Sequence, residues 1–127
     1  MKHLSTFAIV VACIFAVAGG AQAAGDTKAG KKVFKKCKAC HSLKAGKKKV
    51  GPSLYGIMGA KAGQVKKFRY SKSMKKSGII WNEKTLDKYL AKPRKFVKGT
   101  KMAFPGLKKK KDRDNVIAYL KAATAKK

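Results

Sequence analysis

The chain is poor in acidic residues, in cysteine and histidine, and in long apolar segments. It has 5 Asp and Glu against 33 Lys and Arg, which gives a net charge of +28. A structural zinc site usually takes four Cys and His ligands from two pairs. Outside the segment Cys37–His41 the chain offers only Cys13 and His3, both near the amino terminus. The longest apolar run, residues 7–18, is shorter than the roughly 20 residues that span a bilayer.

The amino terminus has the pattern of a secretory leader. Lys2 precedes the apolar run, which is followed by glycines and by the small-residue sequence Ala21-Gln22-Ala23. We therefore expect a signal peptide over residues 1–23, cleavage before Ala24, and one exported domain over residues 24–127 with a charge of +27. A bacterial periplasm fits this best. An uncleaved leader would instead serve as a membrane anchor.

Cys37, Cys40 and His41 form the spacing C-x-x-C-H, which is typical of covalent c-type haem attachment. Residues three and four apart lie on one face of a helical turn, so one flat group can meet both thiols and the imidazole. A structural disulfide is a second interpretation of the same cysteines. A thioredoxin-like redox pair would need a strand-helix-strand pattern, and the sequence around the motif has no strong strand signal.

The remaining pattern predicts an all-α fold of short helices and long loops. Helices are expected over residues 26–36, 71–77, 82–92 and 111–124, with a brief turn over 94–97. Glycines and a proline interrupt residues 51–63 too often for a long regular element, so this segment is expected to wrap around something. The last helix is expected to direct inward Val116, Ile117, Tyr119, Leu120 and Ala123.

An iron held by one histidine needs a sixth ligand if it is to carry electrons, and methionine favours the reduced metal. The expected domain contains Met58, Met74 and Met102. Met102 lies 61 residues after His41, in an irregular segment with glycine and proline. A methionine also commonly fills gaps in a core. Sequence position alone therefore does not decide which of the three methionines would ligate the iron.

Several blocks resemble class I cytochrome c of the mitochondrial and alphaproteobacterial soluble type. They cover nearly the whole expected domain in order: the haem motif, Gly51-Pro52-Ser53-Leu54-Tyr55-Gly56, Gly78-Ile79-Ile80-Trp81, Tyr89-Leu90, Gly99-Thr100-Lys101-Met102-Ala103-Phe104 and Val116-Ile117-Ala118-Tyr119-Leu120. The resemblance implies the cytochrome c fold around one covalent haem c, with His41 and Met102 as iron ligands.

The resemblance also implies roles for other residues. The Pro52 carbonyl would accept a hydrogen bond from His41, and Tyr89 would lie beside the Met102 sulfur. The propionate region of the haem would be bonded by Tyr70, Trp81 and Thr100. Gly30 and Phe34 of the first helix would meet Val116 and Tyr119 of the last.

Three positions depart from the family pattern. Ala60 stands where an arginine is common near a propionate, and Met74 where many members have an asparagine. Lys98 stands where a proline usually precedes the glycine of the methionine loop, and it predicts a looser Met102 loop.

The resemblance implies an electron carrier rather than an enzyme, with basic residues ringing an exposed haem edge: Lys31, Lys36, Lys49, Arg94, Lys95, Lys101, Lys108 and Lys109. The partners it implies are acidic redox proteins, namely a quinol-cytochrome c reductase and a cytochrome c oxidase, another reductase or a reaction centre. We expect a monomer, weak binding to anionic membranes and no specific nucleic-acid binding. Two alternatives are a binder of anionic lipid, lipopolysaccharide or nucleic acid, and a haem peroxidase.

Overall fold

The computed structural model describes residues 25–126, which form a helical structure with long loops. The helices are α1 (Thr27–Phe34), α2 (Lys72–Lys76), α3 (Glu83–Ala91), α4 (Pro93–Phe96) and α5 (Lys110–Ala123). Within these residues the strand-type pairing is one isolated bridge between Lys61 and Ile80. The same residues contain no helix that is both long and apolar enough to cross a membrane. The predicted leader lies outside the described residues.

Side-chain caps define where the first three helices begin. The Asp26 carboxylate accepts hydrogen bonds from the backbone N–H groups of Lys28 and Ala29, so α1 starts at Thr27. The Ser71 hydroxyl accepts from the backbone of Met74 at the start of α2. Asn82 and Thr85 cap each other's backbone in α3, at 2.9 Å in both directions. These three caps confirm the predicted helix starts within one residue.

The later helices differ from the prediction in detail. The turn expected over residues 94–97 is a one-turn helix, α4, which Pro93 begins because a proline at the first helical position loses no hydrogen bond. Helix α5 starts one residue early, at Lys110. Asp112 lies in its first turn, and Asp114 lies beyond that turn and pairs with Lys110 at 2.6 Å.

Helices α1 and α5 pack closely because Gly30 has no side chain. A β-carbon at Gly30 would overlap the backbone carbonyl of Asn115 and lie 2.7 Å from Cβ of Tyr119. Next to this crossing the Phe34 and Tyr119 rings are 5.5 Å apart at 51°. The Asn115 carboxamide oxygen accepts from the backbone of Asp26 at 2.8 Å, which ties the start of α1 to α5.

The inward face of α5 was predicted wrongly at its end. Ala123 is exposed, and the buried residue is Thr124, whose hydroxyl donates to the Leu120 carbonyl at 2.6 Å. Thr124 lies at the end of the helix, and its hydroxyl can be buried because it is hydrogen-bonded there to a backbone carbonyl.

The core joins all five helices to the loops between them, and α4 contributes Phe96, which is partly buried and packs against it. Its buried members are Phe34, Ala62, Met74, Trp81, Leu86, Tyr89, Val97, Leu107, Val116, Ile117 and Leu120. Half-buried side chains packed against it include Cys37 of the motif and Met102 of the Met102 loop. The motif and the Met102 loop therefore meet the same core, although 61 residues separate Met102 from His41.

Candidate cofactor site

The C-x-x-C-H motif forms a helical turn directly after α1. The backbone N–H groups of Cys40 and His41 donate to the Cys37 carbonyl at 3.0 and 2.9 Å, and that of Cys37 donates to Phe34 at 2.8 Å. This turn sets the two thiols and the imidazole at the relative spacing that the sequence predicts. Cys37 and Cys40 are both free, so no disulfide joins them. Burial, together with the nearby Cys40, raises the pKa of the Cys37 thiol.

His41 is fixed through one ring nitrogen. Its Nδ1 lies 2.8 Å from the carbonyl oxygen of Pro52, the contact that the family resemblance implies. Burial lowers the pKa of His41 more than the Pro52 carbonyl raises it, and Lys49 lowers it further. The ring is therefore neutral near pH 7, with Nδ1–H donating to Pro52 and Nε2 available as a metal ligand.

A bend at residues 49–51 holds the other side of the motif, a contact that the sequence did not predict. The Gly51 N–H donates to the Cys40 carbonyl at 2.7 Å, and the Lys49 ammonium donates to the Lys38 carbonyl at 2.5 Å. A β-carbon at Gly51 would lie 2.5 Å from Cε1 of His41. Glycine is therefore required where the bend meets the imidazole. The Gly51-Pro52 pair, one residue after the lysine run that ends at Lys49, was the available signal.

The Met102 loop begins with a tight turn after α4. Thr100 N–H donates to the Val97 carbonyl at 3.1 Å, and Gly99 has the left-handed φ of 82° that the third residue of a type II turn needs. The Thr100 hydroxyl bonds the Tyr89 hydroxyl at 2.8 Å and accepts from Met102 N–H at 3.4 Å. Met102 is half-buried, whereas Met74 is a buried member of the core.

The aromatic residues of the predicted site divide into two groups. Trp81 and Tyr89 are buried with their rings 5.1 Å apart, and the Tyr89 hydroxyl is hydrogen-bonded to the Thr100 hydroxyl. Burial raises the pKa of Tyr89, while the Thr100 hydrogen bond lowers it by less. Tyr70 belongs to a separate loop, where its hydroxyl accepts from Val65 N–H at 3.3 Å. The structure thus links Trp81, Tyr89 and Thr100 to the methionine loop and places Tyr70 with a different neighbour.

The donor set fits a thioether-linked haem better than a bare metal ion. Across residues 25–126, no group of three or more His, Cys, Asp or Glu side chains is arranged to hold a metal. What the turn does offer is two thiols and a neutral imidazole, while a thioether packs against the same core. Imidazole with methionine is an established axial pair for haem iron. The close approach of Gly51 to the imidazole restricts the position of the His41 side chain.

The chain is similar to known proteins over most of its length. Residues 27–124 match the family model for cytochrome c. The chain is 54% identical to cytochrome c2 of Rhodoblastus acidophilus over 98 residues, covering 76% of this chain and 92% of the relative. It is 50% identical to a cytochrome c of Gibberella zeae over 104 residues, with 80% and 98% covered. The solved structure of cytochrome cH from Methylobacterium extorquens matches with a TM-score of 0.73 and 48% identity, over 77% of this chain and 99% of that one.

Proposed function

The chain belongs to the cytochrome c family, and from that premise we propose that it is a periplasmic one-electron carrier between a quinol-oxidising complex and a terminal oxidase, reductase or photosynthetic reaction centre. Proteins of this family hold one covalent haem c with its iron. They transfer electrons and are not enzymes, which sets aside a peroxidase as the main activity.

The observation that carries the proposal is the 2.8 Å contact between His41 Nδ1 and the Pro52 carbonyl, next to two free thiols on one turn. Cys37 and Cys40 would hold the haem through thioethers, and His41 Nε2 would ligate its iron. Met102, half-buried against the shared core, would supply the sulfur ligand. When bound, the haem supplies reversible one-electron chemistry, and the protein sets its potential through these ligands and their surroundings.

Neighbouring residues would hold the Met102 side of the site in place. Thr100 fastens the methionine loop to α3 through Tyr89, since its hydroxyl contacts both Tyr89 and the Met102 backbone. This supports a role for Tyr89 beside the methionine sulfur. Trp81, Tyr70 and Thr100 would serve the propionate region. An electron carrier needs these residues to hold the Met102 side of the site nearly still, because little rearrangement should accompany each electron transfer.

The charge of the chain supports acidic redox proteins as partners. A net charge of +28 attracts acidic faces from a distance and raises association rates. The lysines that would ring the haem edge would orient a quinol-cytochrome c reductase or a cytochrome c oxidase. The same charge would give weak binding to anionic membranes, with no specific nucleic-acid binding, and the protein would act as a monomer.

Export is part of the proposal. Residues 1–23 have the order of charge, apolar run and small residues that a secretory leader has. Thioether formation on the exported side then accounts for the two cysteines of the remaining chain. Amino-terminal sequencing of the protein from a periplasmic extract should give Ala24 as the first residue, and a chain that starts at Met1 in the membrane fraction contradicts cleavage.

Haem attachment is tested on protein made in a host that matures c-type cytochromes. The purified chain should keep a haem stain after denaturation, and the pair Cys37→Ala and Cys40→Ala should lose it. A colourless product with free or mutually oxidised thiols from the unchanged sequence overturns the proposal.

Ligation by Met102 needs a separate variant. Met102→Ala should lose the weak far-red absorbance band of the ferric protein that sulfur ligation gives, and its reduction potential should fall. Met58→Ala is the matched control and should keep the band. A Met102→Ala protein with the band intact would assign the sulfur to another residue.

A further inference from the structure

Val50 is the most exposed large apolar side chain among residues 25–126, with 80% of its surface open to solvent. It lies at the apex of the bend over residues 49–51, where Lys49 N–H donates to the Gly51 carbonyl at 3.0 Å. A single exposed valine is ordinary on a protein surface. What distinguishes Val50 is the way this bend is held.

The bend is fastened to the haem-attachment turn on both sides of Val50. Before it, the Lys49 ammonium donates to the Lys38 carbonyl, and after it, Gly51 N–H donates to the Cys40 carbonyl. Both acceptors belong to the turn that carries the thiols. These two bonds keep an apolar side chain in water at a constant place beside the attachment site.

The chain on either side of Val50 carries charge of one sign. Residues 47–49 are three exposed lysines, and the chain has no Asp or Glu between residues 27 and 82. Protein interfaces commonly have an apolar centre inside a polar rim, and the centre contributes most of the binding energy. An exposed valine fixed next to three exposed lysines places apolar and basic surface side by side, and it complements an acidic protein face with an apolar centre.

We propose that Val50 is the apolar anchor of the surface on which acidic redox partners dock. This inference rests on the proposed function and adds the residue that converts an electrostatic encounter into a productive complex. The lysines set the rate and direction of approach. Burial of Val50 against the partner then lengthens the life of the complex beside the haem-bearing turn, because affinity differences are mostly differences in dissociation rate.

The test compares haem-loaded variants with the same charge. Val50→Ser is compared with the matched control Val65→Ser, a 39% exposed valine beside Lys66 and Lys67. Stopped-flow oxidation of the reduced proteins by a purified haem-copper cytochrome c oxidase gives the second-order rate constant at several ionic strengths. Val50→Ser should lower it about three- to tenfold without changing its salt dependence. Val65→Ser should stay within about twofold, and Val50→Ile should retain the original rate.

Hexacyanoferrate is the small-molecule probe that separates docking from haem chemistry. It is an anion with no apolar surface, so charge attracts it but Val50 gives it no contact. Its rate should be equal in all variants. A parallel loss with hexacyanoferrate and oxidase would show a disturbed haem site and overturn the anchor role.

Two other results also overturn it. The first is a Val50→Ser protein that reacts with the oxidase as fast as the original. The second is an unchanged rate with weakened binding to phosphatidylglycerol vesicles, which would assign Val50 to a membrane contact. Failure of the proposed function is distinct from both, because then the original protein itself would not react with the oxidase or with a quinol-cytochrome c reductase.

Discussion

At the scale of single residues, Tyr89 shows how one buried hydroxyl links stability to pH. Its ring packs on Trp81 and its hydroxyl bonds Thr100, so its neutral form is the one that the fold accommodates. Burial raises its pKa, whereas in the unfolded chain a tyrosine ionises near pH 10. The unfolded chain therefore releases this proton first as the pH rises, and the stability from Tyr89 is present below about pH 10 and lost above it.

We expect Tyr89→Phe to flatten this alkaline loss. Guanidinium unfolding of the haem-loaded protein between pH 9 and 12 should give a free energy that falls less steeply in Tyr89→Phe, by at most about 1.4 kcal/mol per pH unit. Tyr55→Phe, at an exposed position, is the control and should follow the original curve. Equal slopes for Tyr89→Phe and the original protein would show that another group causes the loss.

At the scale of elements, the α1–α5 crossing depends on a glycine in a helix. Alanine is the better helix former by about 1 kcal/mol. At Gly30, however, its β-carbon would overlap the Asn115 backbone and crowd Tyr119, and backbone atoms cannot move aside cheaply. The packing cost therefore exceeds the propensity gain.

Gly30→Ala should lower the free energy of unfolding by about 1–3 kcal/mol, measured by guanidinium denaturation. Lys32→Ala, an exposed change on the same helix, is the matched control and should change it by less than about 0.5 kcal/mol. A Gly30→Ala protein that is more stable than the original would contradict the close approach of the two helices.

The turn before Met102 could hold a proline at position 98, where this chain has a lysine. Lys98 occupies the second position of a turn in which Gly99 has φ 82°, a position where proline is common. Val97 is extended, with φ −124° and ψ 93°, and is thus compatible with a following proline. Lysine restricts the backbone less than proline would at this position, which is why the sequence predicts a looser Met102 loop.

Lys98→Pro should raise the free energy of unfolding by about 0.4–1 kcal/mol, because it restricts the unfolded chain. It should also move the alkaline loss of the far-red ferric band to higher pH, as followed by absorbance titration. Lys98→Ala removes the same charge without restraining the backbone and should leave that pH nearly unchanged. A band already lost only at strongly alkaline pH in the original protein would count against a loose loop.

At the scale of the whole molecule, the excess of positive charge has two opposite consequences. Of the five acidic residues, four lie in α3 and α5 and the fifth, Asp26, caps α1 beside Asn115. Three of them pair with Lys110, Arg113 and Lys121. Much of the surface therefore carries unopposed lysines, which attract acidic partners but repel one another.

Added salt should stabilise the protein and slow its electron transfer. Between 10 and 200 mM salt the screening length falls from about 30 Å to below 10 Å. The unfolding temperature should rise as repulsion weakens, and the rate with an acidic oxidase should fall about tenfold or more. Sodium chloride and choline chloride should act alike, since ionic strength sets the screening. A rate that does not depend on salt would contradict steering by charge.

Local patterns in the sequence determined much of this protein. The C-x-x-C-H spacing sets its side chains on one turn because positions three and four apart meet on a helix, and Asp26, Ser71 and Asn82 start their helices through bonds to nearby backbone. The helical fold was predicted correctly from such features, and the family was predicted correctly from the sequence blocks that resemble it. The lysine excess is likewise a property of composition.

The tertiary structure decided what depends on distant parts of the chain. The bond from His41 to Pro52, the link from Tyr89 to Thr100, and the bend that presents Val50 join separate segments. Family resemblance implied the first of these, but helix periodicity implied none. Periodicity also placed Ala123 inside, whereas the chain path around the end of α5 buries Thr124 instead. Such contacts arise because the whole chain closes around one core, and spacing along the sequence does not specify that closure.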